Sequence, residues 1–344
     1  MGGAETLVVN LMSRFRALGH DVGVVVFNGH RTALMERLER ECPECKIYKL
    51  GNSYYNPSFI PKLWCIMRQY DIVHTHNSSP QLFAAIANML CRRKLVTTEH
   101  STNNKKREQG GLLRLIDKWM YKHYHKVICI SEIAEKTLRD YLGGCPSNIC
   151  TINNGVDVEA FYHAAPTEEL NSCKFAVVMV AGFREAKDQD TLIRAIGRLP
   201  KEEYKLWLVG DGVRRGELET LVNDLNLNEQ VVFLGLRTDV ANILNAADVI
   251  VMSSHWEGLS LSNIEGMSVG KPFIASDVKG LHEITEGAGL LFPHGDDKAL
   301  ADLIHQLHDD KQLYKHVADA CYEKARQFDI CKMLEKYNEV YAEL

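Results

Sequence analysis

Residues 253–272 read SSHWEGLSLSNIEGMSVGKP. An apolar run at 249–252 precedes them and reads as a buried strand, and a second short strand follows at 273–276, after Gly270-Lys271-Pro272. Between the strands, residues 262–269 carry helical apolar spacing with Leu261, Ile264 and Met267, and Glu257-Gly258 forms a loop at the carboxyl end of the first strand. In an open α/β sheet, ligands bind outside the carboxyl ends of the strands. A helix opening there directs free N–H groups at an anion. Glu265 lies one turn further in, where a carboxylate reaches paired hydroxyls. The stretch therefore has the parts to hold a phosphorylated, hydroxyl-rich ligand. The competing reading is local, with Ser260 or Ser262 as an N-cap and Glu265 as its capping-box partner or a solvated residue.

Outward from that stretch, helices and strands alternate along the whole chain. In the first half a helix at 7–18 ends at Gly19-His20, and strands are expected at 22–27, 71–74, 94–98, 126–130 and 149–152. Helices at 57–69, 81–90, 112–123 and 133–142 separate them. The second half repeats the pattern, with strands at 175–180, 205–209, 231–234, 249–252, 273–276 and 289–292 and helices at 190–199, 215–225, 240–246 and 297–308. Such alternation predicts α/β architecture with parallel, doubly wound sheets.

With 344 residues the expectation is two domains. An apolar content of 46% and a charged content of 25% suit a globular enzyme. No apolar run reaches the ~18 residues of a membrane-spanning helix, and no secretory leader is read at the start. Ten cysteines are scattered, and Cys42-Pro-Glu-Cys45 has no second Cys-x-x-Cys to complete a zinc site. They are read as reduced thiols of a cytoplasmic protein. The net charge of −5 is unevenly divided: residues 1–150 carry +8 and residues 151–344 carry −13. The asymmetry points to an anionic partner for the first half, and no nucleic acid is expected as that partner. Arg92-Arg93-Lys94, Lys105-Lys106-Arg107, Arg114, Lys118, Lys122 and Lys126 concentrate it. Arg114, Lys118 and Lys122 recur on one helix face beside Leu112, Leu115, Ile116, Trp119 and Met120, a pattern suited either to an anionic membrane surface or to an ordinary domain helix.

The run from Glu257 to Met267, followed by Gly270-Lys271-Pro272, resembles the Glu-x7-Glu signature of retaining GT-B glycosyltransferases, family 4 in particular. The resemblance covers nearly the whole chain and implies two Rossmann-like domains facing across a cleft, over residues 1–152 and 153–328, with the last helix at about 329–344 crossing back to the first. Asn153-Asn154-Gly155-Val156-Asp157 is similar to the family's interdomain turn, and the polar residues 159–174 read as its hinge. Glu257 is implied to contact the donor hexose hydroxyls, and Glu265 the ribose. Gly258, Leu259, Ser260, Leu261 and Ser262 are implied to meet sugar and phosphate through their backbone. Gly2-Gly3 matches a loop that approaches the diphosphate. The family usually carries a strand before that loop, and the strand is expected to be missing here.

His100, at the end of Thr97-Thr98-Glu99-His100, matches a residue facing donor sugar and acceptor. His74 and His76 are read as loop residues on opposite sides of an extended segment, which disfavours a shared metal. Lys187 matches a family cation for the leaving diphosphate. The family's Arg position falls on Gly182, with Arg184 two residues on. Gly210 and Gly212 match the glycine loop near the nucleotide, and Arg237 the loop at the base edge. No metal or cofactor is expected, on the reading that no Asp-x-Asp motif is present to hold an ion. The implied function is metal-independent, retaining transfer of a hexose from a nucleotide-diphosphate sugar to a saccharide or lipid-linked acceptor, by an enzyme that docks reversibly on the membrane. Two alternatives stand beside it: a sugar-nucleotide epimerase of the same fold, and a catalytically silent nucleotide-sugar-binding protein.

Overall fold

The computed structural model describes residues 3–100, 111–144, 146–170, 174–257 and 261–344. The chain divides into two compact units, one of Met1–Asn153 with Met333–Leu344, the other of Asn154–Lys332.

In the first unit, β1 (Gly23–Asn28) and β2 (Lys46–Gly51) form a parallel pair. β3 (Ile72–His76), β4 (Lys94–Glu99), β5 (Lys126–Cys129) and β6 (Ile149–Thr151) form a separate parallel sheet in that order. The expected parallel α/β arrangement is present in two pieces, because β1 and β3 are both end strands and do not pair. They nevertheless share one apolar core. Phe27 of β1 meets Phe59 and Phe83 with ring centroids 5.4 and 5.6 Å apart, and Val25 and Val73 pack on the same cluster. The helix Ala33–Glu41 and strand β2 were not foreseen in the sequence.

The helix Ile330–Ala342 returns its last residues to this unit. Tyr337 is buried with its hydroxyl 3.3 Å from Thr98 Oγ1, and the Tyr341 hydroxyl lies 2.5 Å from His74 Nδ1. Asn338 Oδ1 meets His20 Nε2 at 2.8 Å, and Lys126 Nζ donates to Glu343 at 2.6 Å.

The second unit is a six-stranded parallel sheet. Its strands are β7 (Phe175–Val180), β8 (Tyr204–Val209), β9 (Val231–Gly235), β10 (Val249–Met252), β11 (Phe273–Ser276) and β12 (Leu290–Phe292), ordered β12-β11-β10-β7-β8-β9. The direction of strand addition reverses between β7 and β10, so the loops leaving those strands flank the crevice where such sheets bind ligands. Every residue of β10 and β11 is buried, which is why both read as unbroken apolar runs in the sequence. The segments entering and leaving this unit lie side by side, Val156 bridging Asp329 in parallel. A Cβ on Gly155 would stand 2.7 Å from the Ile330 Cα, so only glycine allows the two segments that approach.

Candidate active site

In the second unit the loops after β7 and β10 are stitched together by three contacts. The buried Ser253 hydroxyl donates to the Asp188 carbonyl at 2.7 Å, the His255 N–H donates to the Ala186 carbonyl at 2.9 Å, and Lys187 Nζ donates to Glu257 Oε1. The Ser254 hydroxyl donates to the same Glu257 oxygen at 2.8 Å. Glu257 is thus held from two sides, with its side chain 11% exposed and that of Lys187 22% exposed. The sequence named both residues, but not that they pair.

Arg184 is exposed, and its Nε lies 3.9 Å from where a Cβ on Gly182 would stand. Its side chain therefore folds back over the position where the family's Arg was expected. Gly210 has φ +138°, and a Cβ there would meet the Ala181 carbonyl oxygen at 2.1 Å; one on Gly212 would meet that of Phe183 at 2.4 Å. These two glycines let the β8 loop lie directly on the β7 loop, a packing reason for their identity that the sequence did not reveal. Arg237 lies at the end of β9, where its guanidinium grips both Asp239 oxygens at 2.8 and 2.7 Å and Glu169 at 2.6 Å. The two carboxylates raise its pKa, and the same contacts turn its hydrogen-bond donors toward the protein.

The helix Leu261–Ser268 follows β10. Gly258, Leu259 and Ser260 lie outside the described residues, as does Gly2; Gly3 opens the helix Gly3–Ala17. Leu261 and Ser262 occupy the first turn of the β10 helix, and Glu265 follows one turn on. Burial pushes the Glu265 carboxyl up from the ordinary carboxylate range to about 7. Burial is the cause of that shift, with no cation among the described residues pulling it back. A carboxylate so placed gains from any ligand that donates hydrogen bonds to it.

Asp188-Gln189-Asp190 does have Asp-x-Asp spacing, which corrects the reading that no such motif is present. Its two carboxylates are separately employed. Asp188 caps the helix Gln189–Ile196, accepting from the Thr191 N–H at 3.3 Å and hydroxyl at 2.6 Å. Asp190 is bound in bidentate fashion by Arg214 at 2.7 and 3.0 Å.

In the first unit, His74 and His76 belong to β3 and their rings stack with centroids 4.6 Å apart. They are not on opposite sides, because residues two apart on a strand share a face. His76 Nδ1 lies 2.9 Å from His100 Nε2, at the ends of adjacent strands, and His74 Nε2 lies 2.8 Å from Thr98 Oγ1. Burial holds His74 near pKa 3, His100 near 4, and His76 well below its ordinary value. All three rings are therefore neutral at pH 7, and the His76–His100 bond fixes which ring nitrogen of His100 remains for a ligand.

Comparison with known proteins identifies the family and the fold. The family model described as Glycosyltransferase Family 4 matches residues 1–160, and that described as Glycosyl transferases group 1 matches residues 165–327. The putative glycosyltransferase EpsD of Bacillus subtilis is 30% identical over 295 residues, spanning 80% of this chain and 77% of its own. A UDP-Gal:alpha-D-GlcNAc-diphosphoundecaprenol alpha-1,3-galactosyltransferase of Escherichia coli is 28% identical over 305 residues, spanning 80% and 76%. The crystal structure of Anabaena Alr3699/HepE in complex with UDP superposes with a TM-score of 0.85 at 23% identity, covering 100% of this chain and 97% of that one. The chain belongs to glycosyltransferase family 4, and its two parallel-sheet units have the GT-B fold.

Proposed function

We propose that this chain is a retaining, metal-independent hexosyltransferase that moves a sugar from a nucleotide-diphosphate donor to a hydroxyl of a saccharide or lipid-linked acceptor. One observation carries the reading: Glu257 is fixed between Lys187 and Ser254, while Glu265, on the helix that follows, is half-buried with no counter-charge among the described residues. Hexose hydroxyls suit the first carboxylate, and a ribose diol donates two hydrogen bonds to the second. Lys187 and Arg184 supply positive charge to the departing diphosphate. In the proposed step the acceptor oxygen bonds to the anomeric carbon as the bond to the phosphate oxygen breaks. The electron pair leaves with the diphosphate, which takes the acceptor's proton on the same face. Neutral His100, held by His76, hydrogen-bonds sugar hydroxyls without adding charge. The Escherichia coli relative's name, with its UDP-galactose and diphosphoundecaprenol acceptor, and the UDP held by HepE both support a nucleotide-sugar donor here. The test is proton NMR of the product made with UDP-glucose, UDP-galactose or UDP-GlcNAc in EDTA. An α-linked product from the α-linked donor is expected; a β-linked product, or turnover that requires added Mg²⁺, overturns the reading.

The lipid-linked alternative is favoured by the helix Gly111–Tyr121. It buries Asp117, Met120 and Tyr121, so its apolar side is in part an ordinary core face. Leu112, Leu113 and Leu115 in its first turns are nonetheless 72%, 52% and 65% exposed. Arg114 and Lys118 lie over the Tyr141 ring, 5.5 and 5.3 Å from its centroid, so two of the three expected basic residues are partly occupied within the chain. Lys105-Lys106-Arg107 lie outside the described residues. Exposed leucines beside exposed Lys122 suit insertion at an anionic bilayer surface. Among the described residues no helix is long and apolar enough to cross a membrane. The protein is expected to co-sediment with phosphatidylglycerol vesicles at low salt, and a Leu112→Ser/Leu115→Ser variant to lose that binding. A wild type that stays in the supernatant, or a variant that binds equally, contradicts membrane docking.

A further inference from the structure

Asp188, His255 and His294 come from three different strand ends, after β7, β10 and β12, and their donor atoms all lie within 4.8 Å of one another. His255 Nδ1 is 3.6 Å from Asp188 Oδ2 and directly hydrogen-bonded to His294 Nε2. We propose that these three side chains form a binding site for a divalent transition-metal ion of the zinc type, which ties the loop carrying Lys187 to the loop carrying Glu257.

The donor set selects the ion. Two imidazoles and one carboxylate suit zinc and its first-row neighbours, whereas magnesium and calcium take oxygen donors. Three protein ligands leave one position of a tetrahedron for water. Ligand atoms around such an ion stand about 3.4 Å apart with metal–ligand bonds of about 2.1 Å. The present spacings bracket that value, and the exposed His294 ring is the one free to adjust.

The support for each ligand is already in place. Asp188 is 4% exposed, and Thr191 donates to both of its oxygens, which orients the carboxylate as outer partners orient metal ligands. The His255 main chain is tied to Ala186. His294, exposed at the end of β12, provides an entry path from solvent. The His255 and His294 nitrogens face each other directly, and the ion would stand between them. The ion's role is that of a staple. Asp188 adjoins Lys187 in sequence, and His255 stands two residues before Glu257. The second aspartate of the Asp-x-Asp run is held by Arg214, so the motif does not supply both carboxylates to one ion.

The test uses metal alone, so its outcome does not depend on the transferase reading. Chelator-stripped full-length protein is titrated with Zn²⁺ by calorimetry and with Co²⁺ by visible absorption. One Co²⁺ per chain is expected, with d–d bands and no thiolate charge transfer. Trp256, which stacks on the His255 ring at 5.8 Å, should lose fluorescence as the ion binds. His294→Ala, an exposed and foldable change, and His255→Gln should each weaken binding at least tenfold. Zinc should raise the thermal midpoint of the wild type and not of His294→Ala. His305→Gln/His308→Gln, in the other histidine–aspartate group, should bind as the wild type does. Absence of stoichiometric binding, thiolate charge transfer, or unchanged affinity in His294→Ala overturns the proposal.

Discussion

Glu265→Gln is expected to stabilise the ligand-free protein above neutral pH by at most about 3 kcal/mol, while lowering donor affinity at least tenfold. The stability gain follows from the carboxyl's pKa, raised by burial from 4.5 to about 7. The folded protein holds this proton more tightly than the unfolded chain. The group's favourable contribution is therefore complete below the unfolded value and is lost as pH rises through about 7. Each pKa unit is worth about 1.4 kcal/mol, so the loss approaches 3 kcal/mol as an upper bound. His74, His76 and His100 act in the opposite sense. Their depressed values favour the fold above the ordinary histidine pKa and withdraw that support as the medium acidifies. The readout is accordingly the difference between variant and wild type in urea denaturation, which should be near zero at about pH 4.5 and grow to its full value by about pH 8. Donor affinity moves the other way. An ionised Glu265 accepting two ribose hydrogen bonds gains about 1.5–3 kcal/mol from each, and the amide forfeits most of that. Wild-type affinity should also rise with pH through about 7 and then level off. A variant that binds donor normally, with a flat stability difference, returns Glu265 to the role of a helix-cap residue.

Lys187→Ala is expected to lower kcat by about a hundredfold or more with little change in fold, because one preorganised cation at a leaving group is worth about that much. Among the described residues the substitution leaves Glu257 with the Ser254 hydroxyl as its side-chain donor, so KM for the donor sugar should rise as well. Arg184→Ala is expected to cost about tenfold in kcat, since its side chain reaches the space beside Gly182 from an exposed position where water competes. Steady-state kinetics on the two variants separates the roles. A Lys187→Ala enzyme within threefold of wild type, or an Arg184→Ala loss exceeding it, would reassign the leaving-group charge.

How much of this was legible in the sequence depended on burial. The strands of the second unit were readable to within a residue or so, because parallel strands covered on both faces are written as apolar runs such as Val249–Met252. β2, with the polar sequence KIYKLG, and the charged helix Ala33–Glu41 before it gave no such signal, being only partly buried. The Glu257 and Glu265 spacing was visible because both lie within one stretch. The Lys187–Glu257 pair was not, since its partners stand in loops after different strands, far apart in the chain. The Asp188, His255 and His294 group was hidden for the same reason. The stacked rings of His74 and His76 were legible in principle, as the period of two places both on one face. The occupation of Arg237 by Asp239 and Glu169 needed the coordinates, because a carboxylate two residues away does not reveal by itself where its side chain points.

Acceptor-dependent release of nucleotide diphosphate tests the central claim most directly. Purified protein is incubated with each UDP-sugar, alone and with lipid-linked or free saccharide acceptors, and free UDP and the sugar nucleotide are both quantified. The account predicts UDP release that requires an acceptor, matched mole for mole by glycosylated product, and lost in Glu257→Gln. Conversion of the sugar nucleotide to its epimer without acceptor, or donor binding with no release under any acceptor, would contradict it.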